Sequence, residues 1–171
     1  NEVYEVEKNI NFLNHAITDY LVKVNQSTLP IEDLKYLGGL FHVVNDIERI
    51  GDHAENIADA ARQRKEEGIS FSKEAYSEVG HMLDLVNKLI QYAVEVFAKD
   101  DETHLKEIAS LEDRVDDMEK ELQKKHIERL TRGECTPEAG MIFSDLVSGL
   151  ERVADHATNI AYAMVDENGK A

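Results

Sequence analysis

Tryptophan is absent from this 171-residue chain, cysteine occurs once (Cys135), and proline occurs twice (Pro30 and Pro137). A single cysteine excludes an intramolecular disulfide framework and fits a reducing compartment, with Cys135 expected as a free thiol in a loop. Two prolines leave long stretches without a helix breaker. Positive charge is scarce: 19 Lys and Arg face 35 Asp and Glu, a formal net charge of −16. That balance excludes the basic footprint that nucleic-acid binding needs. No apolar run approaches the roughly 20 residues required to cross a bilayer, and no signal peptide opens the chain. Also missing are a Gly-rich phosphate loop, a Ser/His/Asp or Cys/His nucleophile constellation and a zinc-type cysteine pair. With aromatics at only 6%, the composition favours an all-α bundle, and residues 1–171 suffice for one domain with a core.

Apolar residues recur at helical spacing through five segments. The first covers about residues 3–24, with Val6, Ile10, Leu13, Ile17, Tyr20, Leu21 and Val24 inward. The second starts at Pro30, a natural first-turn residue, and runs to about Glu67 before Gly68. The third begins after Ser70, read as its N-cap, and reaches about Lys99 before Asp100, Asp101 and Glu102. The fourth spans about residues 103–132 and stops at Gly133. The fifth follows Thr136-Pro137-Glu138 and ends near Val165. Long helices joined by a few residues pack as antiparallel neighbours. Helices one and two therefore form a hairpin, as do four and five. The organisation is two pseudo-repeated three-helix units, an incomplete one (1–68) and a complete one (70–167). A leading helix is expected to be missing before Asn1, and the non-Met start is read as the mark of a fragment.

A sixteen-residue segment occurs twice, about 100 residues apart: DIERIGDHAENIADAA from Asp46 and GLERVADHATNIAYAM from Gly149. Its unchanged members are mostly polar: Glu48/Glu151, Arg49/Arg152, Asp52/Asp155, His53/His156 and Asn56/Asn159. Packing alone would repeat only apolar positions, so the duplication points to chemistry. The first arms of the hairpins carry a related pattern at Glu7/Asn11 and Glu112/Asp116. Each pair is spaced i,i+4 and lies about 40° apart on one helix face. The apolar residue before each Glu sets the core side, which puts all four pairs on the flank of the core.

Glu7 and Glu48 are equidistant from the loop at residues 25–29. Glu112 with Asp155, and Asp116 with Glu151, are equidistant from a point beside Gly133. Each hairpin is thus expected to set its pairs side by side. Clustered carboxylates repel unless protons, basic side chains or cations intervene, and oxygen-rich clusters suit Fe, Mn, Mg or Zn. His53 and His156 lie about 140° from their motif Glu residues, which favours capping or an interhelical hydrogen bond over ligation. Arg49 and Arg152 are expected to pair with neighbouring carboxylates, whereas Glu55 and Asp59, unmatched in the second copy, are read as solvated. Glu78-x-x-His81 has the ligand spacing of carboxylate-bridged di-iron bundles, but those sites need two such motifs and this one occurs once.

The two signature segments resemble the signature helices of the PhoU family, and LEDRVDDMEKELQKKHIERL resembles the helix that precedes such a signature. The likeness covers nearly the whole chain. It implies three-helix bundles carrying multinuclear metal clusters on E/D-x-x-x-D motifs, and a role in controlling phosphate uptake or signalling rather than catalysis. The ligands it implies are Glu48, Asp52, Glu112, Asp116, Glu151 and Asp155, with Glu7 matching the remaining acid. Asn11 departs from the pattern, an amide standing where Asp is usual, so the first cluster is expected to hold metal less firmly. Within the family, ITDYLVKVNQSTLPIEDLKYLGGL is most like the cytoplasmic C-terminal domain of bacterial Na⁺/phosphate cotransporters.

The resulting expectation is a non-catalytic regulatory domain at the inner face of the cell membrane. Its partners would be a phosphate transporter in the same polypeptide or phosphate-signalling proteins, not nucleic acid, with a homodimer as the assembly considered. The alternatives are a standalone accessory protein of the phosphate-specific transport system, a carboxylate-bridged metalloenzyme and a purely structural helical adaptor.

Overall fold

The computed structural model describes residues 2–99, 102–163 and 165. Expectations placed on Asn1, Asp100, Asp101, Met164 and residues 166–167 lie outside this set. Among the described residues five α-helices follow one another: α1 (Glu2–Asn25), α2 (Ile31–Glu67), α3 (Lys73–Lys99), α4 (Leu105–Thr131) and α5 (Pro137–Tyr162). A single 3₁₀ turn, Glu102–His104, leads into α4 where the sequence suggested continuous helix from residue 103.

Local chemistry sets the boundaries. At the end of α2, Gly68 adopts φ +66°, a left-handed conformation that glycine enters without a Cβ penalty. Gly133 does the same beyond α4 (φ +70°), and the Glu134 N–H donates to the Arg129 carbonyl at 2.9 Å. The Thr136 hydroxyl accepts the Ala139 N–H at 3.2 Å, with Pro137 in the first turn of α5. The N-terminal cap of α3 is Ser72, whose Oγ accepts the Ala75 N–H at 3.1 Å. Ser70 is not the cap, because Phe71 is drawn onto Phe143, with ring centroids 5.8 Å apart, and helical backbone starts only after it.

Helix α5 is the hub, packing against α2, α3 and α4, whereas among the described residues α1 touches α2 alone. The core follows that arrangement. Met82 and Leu89 of α3, Ile108 and Val115 of α4 and Val147 of α5 are fully buried in one cluster. From α1 only Leu21 is buried. Aligning the two units on Glu7 and Glu112 makes the difference concrete. Ile108, Leu111 and Leu122 of α4 are 0–5% exposed, while their counterparts Val3, Val6 and Ile17 are 39–53% exposed. Likewise Leu150 is 3% exposed and its counterpart Ile47 41%. The cause is α3, which lies over α4 and α5; among the described residues no helix covers α1 and α2 in the same way.

No helix among the described residues is long and apolar enough to cross a membrane.

Candidate metal centre

Helices α4 and α5 meet in the register expected from residues equidistant from Gly133. The Ser144 hydroxyl donates to Gln123 Oε1 at 2.8 Å, and the Ser148 hydroxyl donates to Glu119 Oε1 at 3.3 Å. Glu112 and Asp116 of α4 therefore stand opposite Asp155 and Glu151 of α5. Oxygen atoms of Glu112, Asp116 and Asp155 lie within 4.8 Å of one another, the only such group among the described residues. Leu111, Val115, Leu150 and Ala154 are buried beside them, so the acids occupy the flank of the core, half-buried except for the exposed Asp155.

Electrostatics follow from that crowding. Burial, then the charges of Asp155, Asp116 and Glu119, push the Glu151 carboxyl up to about 7. Partial burial and the charge of Asp116 raise Asp155. Burial followed by Asp116, Asp113 and Asp155 raises Glu112. The crowding thus raises Glu112, Glu151 and Asp155, and no basic side chain forms an ion pair with any of these or with Asp116 among the described residues. Glu119 belongs to this environment and was not singled out in the sequence. Its signal was there, since 112, 116 and 119 follow an i, i+4, i+7 stripe.

The first unit is organised differently. Asn11 Nδ2 donates to Glu7 Oε1, so the amide is spent on the acid it follows. Arg49 lies 3.9 Å from Glu48 and 3.7 Å from Asp52. Glu7, Glu48 and Asp52 do not gather as their counterparts do. The expected pairing of Glu7 with Glu48 is corrected by the register of α1 on α2. A Cβ at Gly51 would meet Ile10 at 3.3 Å, and the Tyr4 hydroxyl donates to Asp59 at 2.7 Å. These contacts carry Glu7 nearly two turns past Glu48 along α2. Asp59 is consequently not merely solvated, as it also pairs with Arg62 at 2.9 Å.

The repeated histidines meet where α2 crosses α5, their rings 5.8 Å apart and stacked at 26°. His156 Nδ1 donates to Asp46 Oδ1 at 2.8 Å, the interhelical hydrogen bond expected of a motif histidine. Its acceptor was not foreseen, because the second copy has Gly149 where Asp46 stands. Arg152 forms no ion pair among the described residues, contrary to expectation; Arg49 does. Glu78 serves Arg129 at 2.8 Å and Lys125 at 3.5 Å, which removes the di-iron spacing from consideration.

The PhoU domain family matches residues 1–61 and 79–164, the span that holds both hairpins and all eight acid-pair positions. This chain belongs to the PhoU family. It is 30% identical over 171 residues to the phosphate-specific transport system accessory protein PhoU homolog 1 of Thermotoga maritima, covering 99% of this chain and 73% of that protein. It is 29% identical over 165 residues to the PhoU homolog of Pseudomonas aeruginosa, covering 96% of this chain and 67% of that protein. The crystal structure of PhoU from Pseudomonas aeruginosa superposes with a TM-score of 0.88, over 95% of this chain and 77% of that one. The phosphate transport system regulatory protein PhoU from Streptococcus pneumoniae, 22% identical, shares the fold at a TM-score of 0.80, over 99% of this chain and 80% of that one. These relatives carry the name of the accessory-protein branch rather than that of cotransporter domains. They are named as accessory and regulatory proteins.

Proposed function

We propose that the chain is a regulatory PhoU protein that controls phosphate uptake or phosphate signalling from the cytoplasmic side of the membrane. Its partner is a component of a phosphate-specific transport system, as the names of its relatives suggest. The Na⁺/phosphate cotransporter reading now rests on residues 17–40 alone and becomes the second choice.

The observation that carries a metal-dependent form of this role is the carboxylate group of the second unit. Its donor set is oxygen only, which suits Mg, Mn, Fe or Zn. The half-protonated state of Glu151 also fits, since a bound cation would neutralise the repulsion that now retains the proton. Glu112, Asp116, Glu151 and Asp155 would hold the ion. Glu7, Asn11, Glu48 and Asp52 would bind more weakly, because Asn11 and Arg49 already satisfy the acids beside them.

The test pairs chemistry with physiology. Protein purified without chelator is assayed for Mg, Mn, Fe and Zn, and phosphate uptake is measured in cells carrying the wild type, a deletion or Asp116→Asn/Asp155→Asn. Deletion should change uptake, and the double variant should lose bound metal and reproduce that change. Uptake unaffected by deletion would end the phosphate assignment. Metal content unaffected by the double variant would end the cluster assignment alone.

A further inference from the structure

Well away from the acidic cluster, the Arg129 end of the α3–α4–α5 unit surrounds a cavity of ≈ 40 Å³, lined among others by Ser70, Ser72, His126, Arg129, Cys135 and Phe143. On this scale one water takes roughly 10–15 Å³, so the space suits about three water-sized groups or one small oxyanion. Arg129 is the basic group in its wall, and its side chain is 15% exposed. Its Nη1 donates to Glu78 at 2.8 Å, and the guanidinium lies over the Phe143 ring at 4.9 Å. Its Nη2 is buried and has no hydrogen-bond partner in the protein. A buried donor without an acceptor costs on the order of 1–3 kcal/mol, and folded proteins leave few of them. Glu78 does not supply the missing acceptor, because its other oxygen faces Lys125 at 3.5 Å.

The remaining polar wall groups can donate as well. Ser72 Oγ accepts the Ala75 N–H, which leaves its own O–H available. His126 is kept neutral by burial and by the positive charge of Arg129, and a neutral imidazole retains one N–H. The ring is seated against α5 at Gly140, where a Cβ would overlap His126 Cε1. The buried Nη2 of Arg129, beside the half-buried His126 and the exposed Ser72, makes the wall richer in donors than in acceptors, and its one carboxylate, Glu134, is exposed, so the space favours negative charge.

We propose that this cavity binds a small oxyanion, a phosphate or carboxylate group, through Nη2 of Arg129. The proposal is independent of metal at the acidic cluster, since Asp116 and Arg129 are separated by about 20 Å along α4.

Cys135 lines the cavity and is the only cysteine, so its reactivity reports occupancy. Full-length chain, freed of metal with chelator, is reacted with N-ethylmaleimide at constant ionic strength in chloride, inorganic phosphate or acetate. Phosphate or acetate should slow the reaction saturably and chloride should not; the anion that saturates first identifies the chemistry of the natural ligand. Arg129→Lys keeps a positive charge beside Glu78 but loses the fork. It should raise the half-saturating concentration at least about tenfold, the value of one charge-assisted hydrogen bond. The Asp116→Asn/Asp155→Asn variant should remain protected like the wild type. Identical wild-type rates in all three anions overturn the proposal without any variant. So does protection that survives Arg129→Lys, or protection that vanishes in the acidic-cluster variant.

Discussion

Glu151 and Asp155, one turn apart on α5, share a hydrogen bond in which the Glu151 carboxyl donates to the Asp155 carboxylate. Two acids pair in this way only when one keeps its proton, and Glu151 does so up to about pH 7. Glu112 and Asp155 are raised as well, so between the usual carboxylate range and neutrality the folded protein binds more protons here than the unfolded chain. The contribution to stability is therefore full below about pH 4 and is lost as pH rises through about 7.

Thermal unfolding of metal-free protein checks this relationship. His53 and His126, lowered mainly by burial, act in the opposite sense, so the quantity to compare is the difference between wild type and Glu151→Gln. The variant should gain on the wild type as pH rises from about 5 to 8, by roughly 2–4 °C for each 1 kcal/mol relieved. A difference that stays flat with pH would show that Glu151 is not held protonated.

The two units should respond unequally to the same truncation. Leu122 and Ile17 occupy equivalent positions, at 1% and 40% exposure. Leu122→Ala should cost about 2–5 kcal/mol, the usual penalty for a buried leucine. Ile17→Ala should cost less than about 1 kcal/mol, in line with partly exposed sites. Equal losses in urea denaturation would mean that α1 is covered in solution.

Two glycines of α5 should behave in opposite ways. Nothing lies within 4 Å of a Cβ placed at Gly149, so Gly149→Ala should stabilise the helix by about 0.5–1 kcal/mol. At Gly140 the same methyl group would meet the His126 ring, with Nε2 at 3.1 Å and Cε1 closer still. Gly140→Ala should destabilise by about 1–3 kcal/mol, as overpacked sites do. Denaturant midpoints that move in the same direction would contradict this contrast.

At the α2–α5 crossing, Asp46 is 8% exposed and accepts the His156 Nδ1–H. Asp46→Ala removes the acceptor and should cost about 1–3 kcal/mol. The expected NMR signature is loss of the slowly exchanging His156 Nδ1 proton; its persistence would show another acceptor.

Much of this architecture was legible from residues alone. The five helices, their breaks at Gly68 and Gly133 and the Thr136-Pro137 start of α5 depend on short-range backbone chemistry. The register of α4 on α5 was also accessible, because a tight connection through Gly133 forces symmetry about that point. The register of α1 on α2 was not, since Ile10 seats at Gly51 and Tyr4 reaches Asp59 by side-chain fit that no spacing rule encodes. The start of α3 was missed by two residues because Phe71 packs onto a distant ring.

By itself the sequence determined an all-helical chain with a duplicated acidic signature, because helical periodicity and an i,i+4 step are local properties of one strand of residues. Only the tertiary structure decided that Glu112, Asp116, Glu151 and Asp155 share a space while Glu7, Glu48 and Asp52 do not. It also decided that Nη2 of Arg129 would be buried without an acceptor. The reason is physical: carboxylate repulsion and guanidinium desolvation depend on distances between helices, and those distances are fixed by packing rather than by order along the chain.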